Sequence, residues 1–491
     1  MQILKLIYIL LVLAPLSTLG QATFFNVYSS GHFDIGEGIC QLADSSYLVT
    51  GSSGGFNATS PQAFVMKVSK KGKQIWTVNK GGEEAETGRR IFYINDTIYL
   101  FGRTNSFGNS YDYYFLKLDS LGNTIDEKTI GTPDFEWLQD VVFLPKDSSF
   151  ILYGYWQEND GFTKKRQLIK IDRAGTVLWQ KEYPMHLEAQ LKSMHTINDS
   201  VFGITGNEYN TSSGHFDGLF YSFTNQGTII DSLLLPAQPG RDMFFNDFAK
   251  HTNSYYIIGN SELHENGEVY SDLKTVYYEP DVNDVRVTGV GIGDYFKTKS
   301  EFIVKKKFAP YNYYMIERAS QGSFSTYSDG MKDEQISLFF GFDTLFWSKT
   351  VANVSRQGDD ITNQAIQTLD GGMITVGYNE YFANNAQNVF LLKIGGNDES
   401  PGFDSHPGEE PLLGTLSTNK ANRVSVYPNP VNEKLMIVAE GDFRAKIYDA
   451  TGSFILESSK DTINVSTLPS GMYVLKIVSN NSSSTFKFIK N

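Results

Sequence analysis

Cys40 is the only cysteine in a chain of 491 residues, so no internal disulfide can form. Stability has to come from a large core even if the chain reaches an oxidising compartment, and Cys40 is expected to act as a small buried hydrophobe. No cysteine stands at the N-terminal processing point either, which argues against a lipid anchor. Positive charge is scarce: Lys+Arg number 42 against Asp+Glu 55, a formal net charge of -13. With no compact basic stripe to offset it, the phosphate backbone of nucleic acid is repelled and no nucleic acid is expected as a partner. The seven histidines are scattered, with no pair at helical metal-ligand spacing, so no zinc site is indicated. Long apolar runs are missing after the N-terminus, so no transmembrane segment is expected in the mature chain. The start itself combines Lys5, the apolar run Leu6 to Leu16 and the small-residue stretch ending at Ala22. Residues 1–22 are therefore expected to be a signal peptide, too short to span a bilayer.

What the chain has in plenty is aromatic residues, 14% of the total, together with 44 glycines, a composition of many short strands and turns. A strand ending in glycine recurs at Gly51, Gly102, Gly154, Gly206, Gly259 and Gly377, and "YYMIE" with Glu317 fills the one gap. An apolar run and a tight polar turn precede each copy, as expected for a hairpin. A longer loop, a third strand and a second compact turn follow, with Gly72, Gly122, Gly175 and Gly227 placed for a left-handed bulge position. Each unit reads as a four-stranded antiparallel meander. Such a sheet, apolar on both faces, is stable only when stacked against its neighbours, which gives an all-β fold with a seven-bladed β-propeller over residues 23–396. The last unit lacks a fourth strand and the mature N-terminus offers a spare one, "TFFNVYSSG", so that strand should close the ring.

At Asp370, Gly371, Gly372 and Gly377, at Asp112, Lys117, Asp119 and Gly122, and at Lys170, Asp172, Gly175 and Trp179, the units resemble the glycine- and aspartate-rich propeller repeats of secreted Bacteroidota proteins. Blades five and six depart from the pattern. Residues 397–423 are acidic, carry three prolines and read as an exposed linker. Residues 424–491 hold at least five short strands separated by turns, a small Ig-like β-sandwich. Within them Tyr427-Pro428-Asn429-Pro430, then Gly452, then Gly471 with Tyr473 and Lys476, and a lysine-rich last strand resemble the type A C-terminal sorting domain of the type IX secretion system. The two prolines suit the exposed start of an edge strand, since they remove backbone donors. The resemblance implies the type IX secretion machinery and its C-terminal-domain protease as partners. It implies delivery through the periplasm to the outer-membrane surface or the medium, with attachment to surface lipopolysaccharide as one outcome.

No constellation of base, nucleophile and orienting group can be assembled from the chain. Ser53 in "GSSGG" has the spelling of a nucleophile elbow without the helix that the elbow requires. Acidic residues gather between blades at Glu83, Glu84 and Glu86, at Asp134 and Glu136, at Asp242 and Asp247, and at Asp359 and Asp360. A solvated acidic rim is the first reading of these and a Ca²⁺ site the second, because hard cations take several oxygen ligands. No other cofactor is indicated. In a meander blade the second-to-third strand loops and the inter-blade connections share one face. Here those loops are long and carry Phe56, Phe107, Tyr155, Trp156, Tyr209, Phe324, Tyr327, Tyr381 and Phe382 among Asn, Ser and Gly. Aromatic faces and hydroxyl-binding groups on a rigid scaffold suit a glycan or protein ligand. The expected function is a non-catalytic exported binding protein. The alternatives are an exported polysaccharide-degrading or peptidase enzyme, since fold does not fix function, and a structural surface-layer protein.

Overall fold

The computed structural model describes residues 23–55, 60–107, 110–132, 134–158, 164–184, 190–265, 268–289, 297–305, 312–320, 332–340, 344–351, 360–381, 386–396, 408–411, 425–427, 431–438, 443–449, 454–479 and 482–490. The proposed signal peptide lies outside them. Two compact units divide the chain, one ending at Gly414 and one beginning at Thr415.

Repetition of the four-stranded meander builds the first unit. Blade 1 runs Asp34–Gln41, Tyr47–Ser53, Gln62–Val68, Gln74–Lys80, and blade 2 runs Glu86–Ile94, Thr97–Thr104, Asp112–Asp119, Thr124–Ile130. Blade 3 is Phe135–Leu144, Ser149–Gln157, Lys164–Asp172, Val177–Pro184, and blade 4 is Leu191–Asn198, Val201–Asn210, His215–Thr224, Ile229–Leu235. Blade 5 comprises Arg241–His251, Ser254–Glu265, Glu268–Glu279 and Asp284–Gly289, and blade 6 Lys297–Lys305, Asn312–Ser320, Lys332–Phe340 and Thr344–Val351. A single parallel pairing, Ser271 with Lys297, links these last two into one sheet. Blade 7 takes Asp360–Gln367, Met373–Tyr381 and Ala386–Ile394 from the far end of the unit and its fourth strand, Phe24–Ser29, from the start. The first strands of successive blades neighbour one another around the ring, and that of blade 7 lies against that of blade 1. The architecture is a β-propeller, closed as the sequence expects.

Closure is reinforced beyond the ladder. The Tyr28 hydroxyl donates to the Gly72 carbonyl at 2.6 Å, fastening the closing strand to the turn of blade 1. Within the stretch read as linker, Gly408–Pro411 pairs in parallel with the other edge of Phe24–Ser29, so the closing strand has neighbours on both sides. Apolar side chains fill the spaces between sheets: Tyr99, Phe101, Tyr113 and Phe115 of blade 2 pack with Leu138, Phe150 and Ile169 of blade 3. Each such buried aromatic contributes about 1.5–3 kcal/mol.

The repeat glycine has a steric cause. In every blade the first strand slips register beside it, between Gly36 and Gly38, Gly88 and Arg90, Leu138 and Asp140, Leu191 and Met194, Phe245 and Asp247, Ser300 and Phe302, and Thr362 and Gln364. Next to that bulge a backbone carbonyl leans over the second strand. A Cβ on Gly51, Gly102 or Gly377 would stand 1.8, 1.8 or 1.9 Å from the carbonyl oxygen of Ile35, Thr87 or Ile361. Glycine alone fits at those three positions, whereas blade 6 has the same register slip beside Glu317. The second compact turn behaves as the sequence indicates, with φ of +83°, +86°, +78° and +70° at Gly72, Gly122, Gly175 and Gly227.

In the second unit, Ser425–Tyr427, Lys434–Val438 and Thr462–Asn464 form one sheet. Phe454–Ser458, Phe443–Tyr448, Gly471–Ser479 and Ser482–Lys490 form the other. Leu435, Ile437 and Ile463 of the first meet Ala445, Ile447, Leu475, Ile477 and Phe488 of the second in a single core, a β-sandwich.

Candidate functional site

Bulging the first strand of each blade also decides what lines the middle of the ring, because the residues beyond the bulge turn toward the neighbouring blades. Arg90 Nη1 donates to the Glu37 carbonyl at 3.0 Å and its Nε to Asp140 at 2.6 Å, joining blade 2 to blades 1 and 3. The other oxygen of Asp140 accepts the Met194 amide of blade 4 at 2.9 Å. Asp247 of blade 5 takes Ser193 Oγ at 2.7 Å and His195 Nε2 at 2.6 Å from blade 4, and the Ile303 amide of blade 6 at 3.0 Å. Gln367 bonds the Lys305 carbonyl between blades 7 and 6, and Gln364 accepts the Ile39 amide at 2.7 Å between blades 7 and 1. A side-chain staple therefore crosses every interface of the ring. Burial works against a charge on His195, but Asp247 outweighs it and holds the imidazole above its ordinary pKa. A cavity of about 420 Å³ lies among these strands, lined by Cys40, Arg90, Asp140, Ser193, His195 and Gln364 with apolar neighbours. Cys40 is half-buried there, and burial pushes its thiol up to about 12.

Two of the acidic residues between blades, Glu86 and Glu136, do not belong to a solvated rim. Glu86 and Glu136 are buried, as is Asp34 at the equivalent place in blade 1. Each begins a first strand and ties down the connection ahead of it. Asp34 accepts the Ser30 amide at 2.7 Å, Glu86 the Gly82 amide at 3.1 Å, and Glu136 the Thr132 amide at 2.8 Å. Burial pushes the Glu136 carboxyl up to about 7, with Asp112 close by adding to the rise. Glu83 and Glu84 are exposed and Asp134 half-buried, while Asp242 faces His215 and His264 at 3.3 and 3.1 Å, apart from Asp247 in the channel. Among the described residues no three His, Cys, Asp or Glu side chains converge as a metal set. Asp359 lies outside the described residues and Asp360 opens the first strand of blade 7. Ser53 ends a strand and donates to Asp34, with no helix following it.

Of the loop aromatics, Phe56, Phe324, Tyr327 and Phe382 lie outside the described residues, and Tyr381 ends the second strand of blade 7. Phe107 is 50% exposed and stacks on Tyr114. Tyr209 packs edge-on to Phe216, 5.2 Å between centroids. Tyr155 and Trp156 are consecutive on one strand and so point to opposite faces of blade 3. Trp156 donates to Glu182 at 3.0 Å with Lys165 beside its ring. Tyr155 instead joins a cluster that the sequence reading missed, at the seam between blades 2 and 3 on the long-loop side. There Phe135 stacks on Trp137 at 5.6 Å and 13°, Tyr155 stacks on Phe135, and Tyr111 closes edge-on against both Phe135 and Trp137. The Arg103 guanidinium lies over the Trp137 ring, 3.6 Å from its centroid. Its Nε and Nη1 are buried without a hydrogen-bond partner, and burial lowers its pKa to about 10. Arg103 follows the repeat glycine Gly102, where the other blades read Ser52, Tyr155, Asn207, Asn260, Arg318 and Tyr378.

In the second unit, Tyr427 ends an edge strand, while Pro428, Asn429, Pro430 and Gly452 lie outside the described residues. Gly471 opens the strand Gly471–Ser479 of the larger sheet, with open space where a Cβ would be. Tyr473 is buried, stacks on Phe488 and donates to the Pro469 carbonyl at 2.8 Å, and Lys476 on the same strand is exposed.

Residues 425–491 match the secretion system C-terminal sorting domain. No curated protein matches the chain. Among solved structures, the β-propeller domain of the Trilobed protease from Pyrococcus furiosus aligns with a TM-score of 0.44 at 10% identity, covering 80% of this chain and 99% of that one. The periplasmic gluconolactonase PpgL of Pseudomonas aeruginosa aligns at 0.37 and 10% identity, over 64% and 88%. An acylaminoacyl peptidase of Pyrococcus horikoshii aligns at 0.41 and 10% identity, over 84% and 57%. Among the described residues no helix is long and apolar enough to cross a membrane. The chain is a β-propeller carrying the C-terminal sorting domain of the type IX secretion system, which directs it to the cell surface or the medium.

Proposed function

We propose that the propeller is a binding module that engages a glycan or protein partner with its long-loop face and catalyses no reaction of its own. In this reading the chain crosses the periplasm, its sorting domain is removed by the C-terminal-domain protease, and the propeller is attached to surface lipopolysaccharide or released. The observation that carries the binding role is the aromatic cluster between blades 2 and 3. Four aromatic side chains and one guanidinium converge there at the loop face, while the charges lining the channel are committed to neighbouring blades. Half-buried aromatic surface beside a cation is suited to recognition, since it offers apolar contact and a directed charge together. Tyr155→Ala and Tyr209→Ala, compared with Leu121→Ala on the short-turn face, test it in cell-adhesion and glycan-array measurements. The loop-face variants should lose binding and the control should keep it; equal binding by all three moves the working surface elsewhere.

Hydrolysis is the second reading, and it rests on Glu136, whose carboxyl is pushed up to about 7 beside Asp112. A carboxyl protonated near neutrality is what a general acid requires. Both side chains are buried and Glu136 is bonded to Thr132, which suits a cap better than an acid facing substrate. Turnover of a glycan or peptide by the purified chain, abolished in Glu136→Gln, would establish the enzyme.

A further inference from the structure

The staples between blades do not account for the cavity in the middle of the ring. Its volume of about 420 Å³ falls within the roughly 300–1,000 Å³ of small-molecule sites. Blades 1, 2, 3, 4, 6 and 7 all contribute to its wall. Phe92, Phe143, Phe302 and Ile366 line it and are only partly buried, whereas Phe101 and Phe150 between the sheets are fully buried. Apolar surface is thus left facing a concave space, and a bound apolar body would cover it. Arg90, Asp140 and Ser193 stand at the level of the bulges, buried and bonded to neighbouring blades. From there the first strands run toward the short-turn face. The cavity follows them to Gln367, which ends the first strand of blade 7, and to Leu369 in the turn after it, 48% exposed. It therefore opens opposite the long loops.

His195 supplies the polar contact. Its Nε2 is held by Asp247 at 2.6 Å, so the ring is fixed with Nδ1 as its remaining edge. Burial among neighbouring blades weighs against its charge, yet 38% of the side chain is exposed, and that exposure belongs to the cavity it lines. The formal charges around it cancel, Arg90 with Asp140 and a protonated His195 with Asp247. A ligand bringing its own charge would unbalance them between apolar walls. We propose that this cavity binds an uncharged small molecule with a mainly apolar body and a single carbonyl or hydroxyl oxygen, which accepts a hydrogen bond from His195. The inference goes beyond the long-loop reading and adds a second site on the opposite face.

The test is equilibrium dialysis of the full chain against three probes that share a pair of phenyl rings: benzophenone, diphenylmethane, which lacks the oxygen, and 4-benzoylbenzoate, which adds a carboxylate. Benzophenone should bind, diphenylmethane about fivefold more weakly for want of one hydrogen bond, and 4-benzoylbenzoate at least roughly tenfold more weakly. Near-ultraviolet irradiation of bound benzophenone should attach it to first-strand residues of the wall, read by peptide mass. Thr196→Trp and Leu369→Trp, at exposed positions of the wall, should each obstruct the mouth and abolish binding with the melting temperature unchanged. If one of the two destabilises the chain, the other decides. Tyr209→Ala, on the long-loop face, should bind as wild type does. Preference for 4-benzoylbenzoate, equal binding of diphenylmethane, attachment outside the first strands, or binding that survives both tryptophans overturns the inference, and so does binding of none of the three. In each of these cases the long-loop face keeps its proposed role, which falls only if Tyr155→Ala and Tyr209→Ala leave adhesion and glycan binding unchanged.

Discussion

Arg90 and Arg103 stand on neighbouring strands of blade 2 in opposite circumstances. Arg90, facing the middle of the ring, spends its nitrogens on the Glu37 and Arg89 carbonyls and the Asp140 carboxylate. Arg103, facing blade 3, has the Trp137 ring beneath it and no carboxylate of its own. A buried charge that holds the fold comes with its partner built in. One kept without a carboxylate, as Arg103 is over Trp137, lowers stability.

Removing Asp247 breaks the first side of that comparison most severely. Asp247→Ala deprives Ser193, His195 and the Phe248 and Ile303 amides of their acceptor and should lower stability by about 3–5 kcal/mol, measured by denaturant unfolding. Next in size is the glycine behind the bulge. Gly102→Ala forces a Cβ onto the Thr87 carbonyl and should cost about 1–3 kcal/mol. Gly471→Ala, with open space around it, should stay within about 0.5 kcal/mol.

Titration sharpens the comparison further. The native His195 pKa is raised, so its pair with Asp247, near Asp140 and Arg90, contributes fully below the ordinary histidine value of about 6.5. That contribution is lost as pH rises through the raised native value, and His195→Gln should remove this part of the pH dependence. Glu136 gives a slope of the same sign. Its native carboxyl holds a proton between 4.5 and about 7 while the unfolded one does not, so stability falls as pH rises through that window, and Glu136→Gln should flatten it. The smallest effect is on the other side: Arg103→Met should leave the melting temperature unchanged or slightly raised, because it removes a charge that nothing in the fold pairs.

The recurring glycine was enough to count the blades, and the spare strand at residues 23–31 was enough to close the ring, because both are local signals repeated at near-constant spacing. The reason for the glycine was not legible, since a bulge on one strand is recorded in the residue of the next. The staples were hidden for a related cause: Asp140 and Gln364 look like ordinary strand polar residues, and Asp247 like part of an acidic rim, until the ring places each against another blade. At the loop face, reading whole loops gathered Tyr155 and Trp156 into one surface, and strand alternation separates them. Phe135 and Trp137 lie in a first strand, outside any loop, so a search confined to loops passed over the centre of the aromatic cluster.

Phe24–Ser29 completes a sheet whose other three strands come from residues 360–394, and this fixes an order in time. The first strand of the propeller to be synthesised has no partner until the last blade exists, so closure is the final long-range event and bears the greatest loop-closure cost. Until then the chain is an open row of sheets, each able to form from local hairpins yet none locked into a ring. A chain bound for the cell surface or the medium is in that condition while its ends are apart, and the closed ring is acquired when they meet.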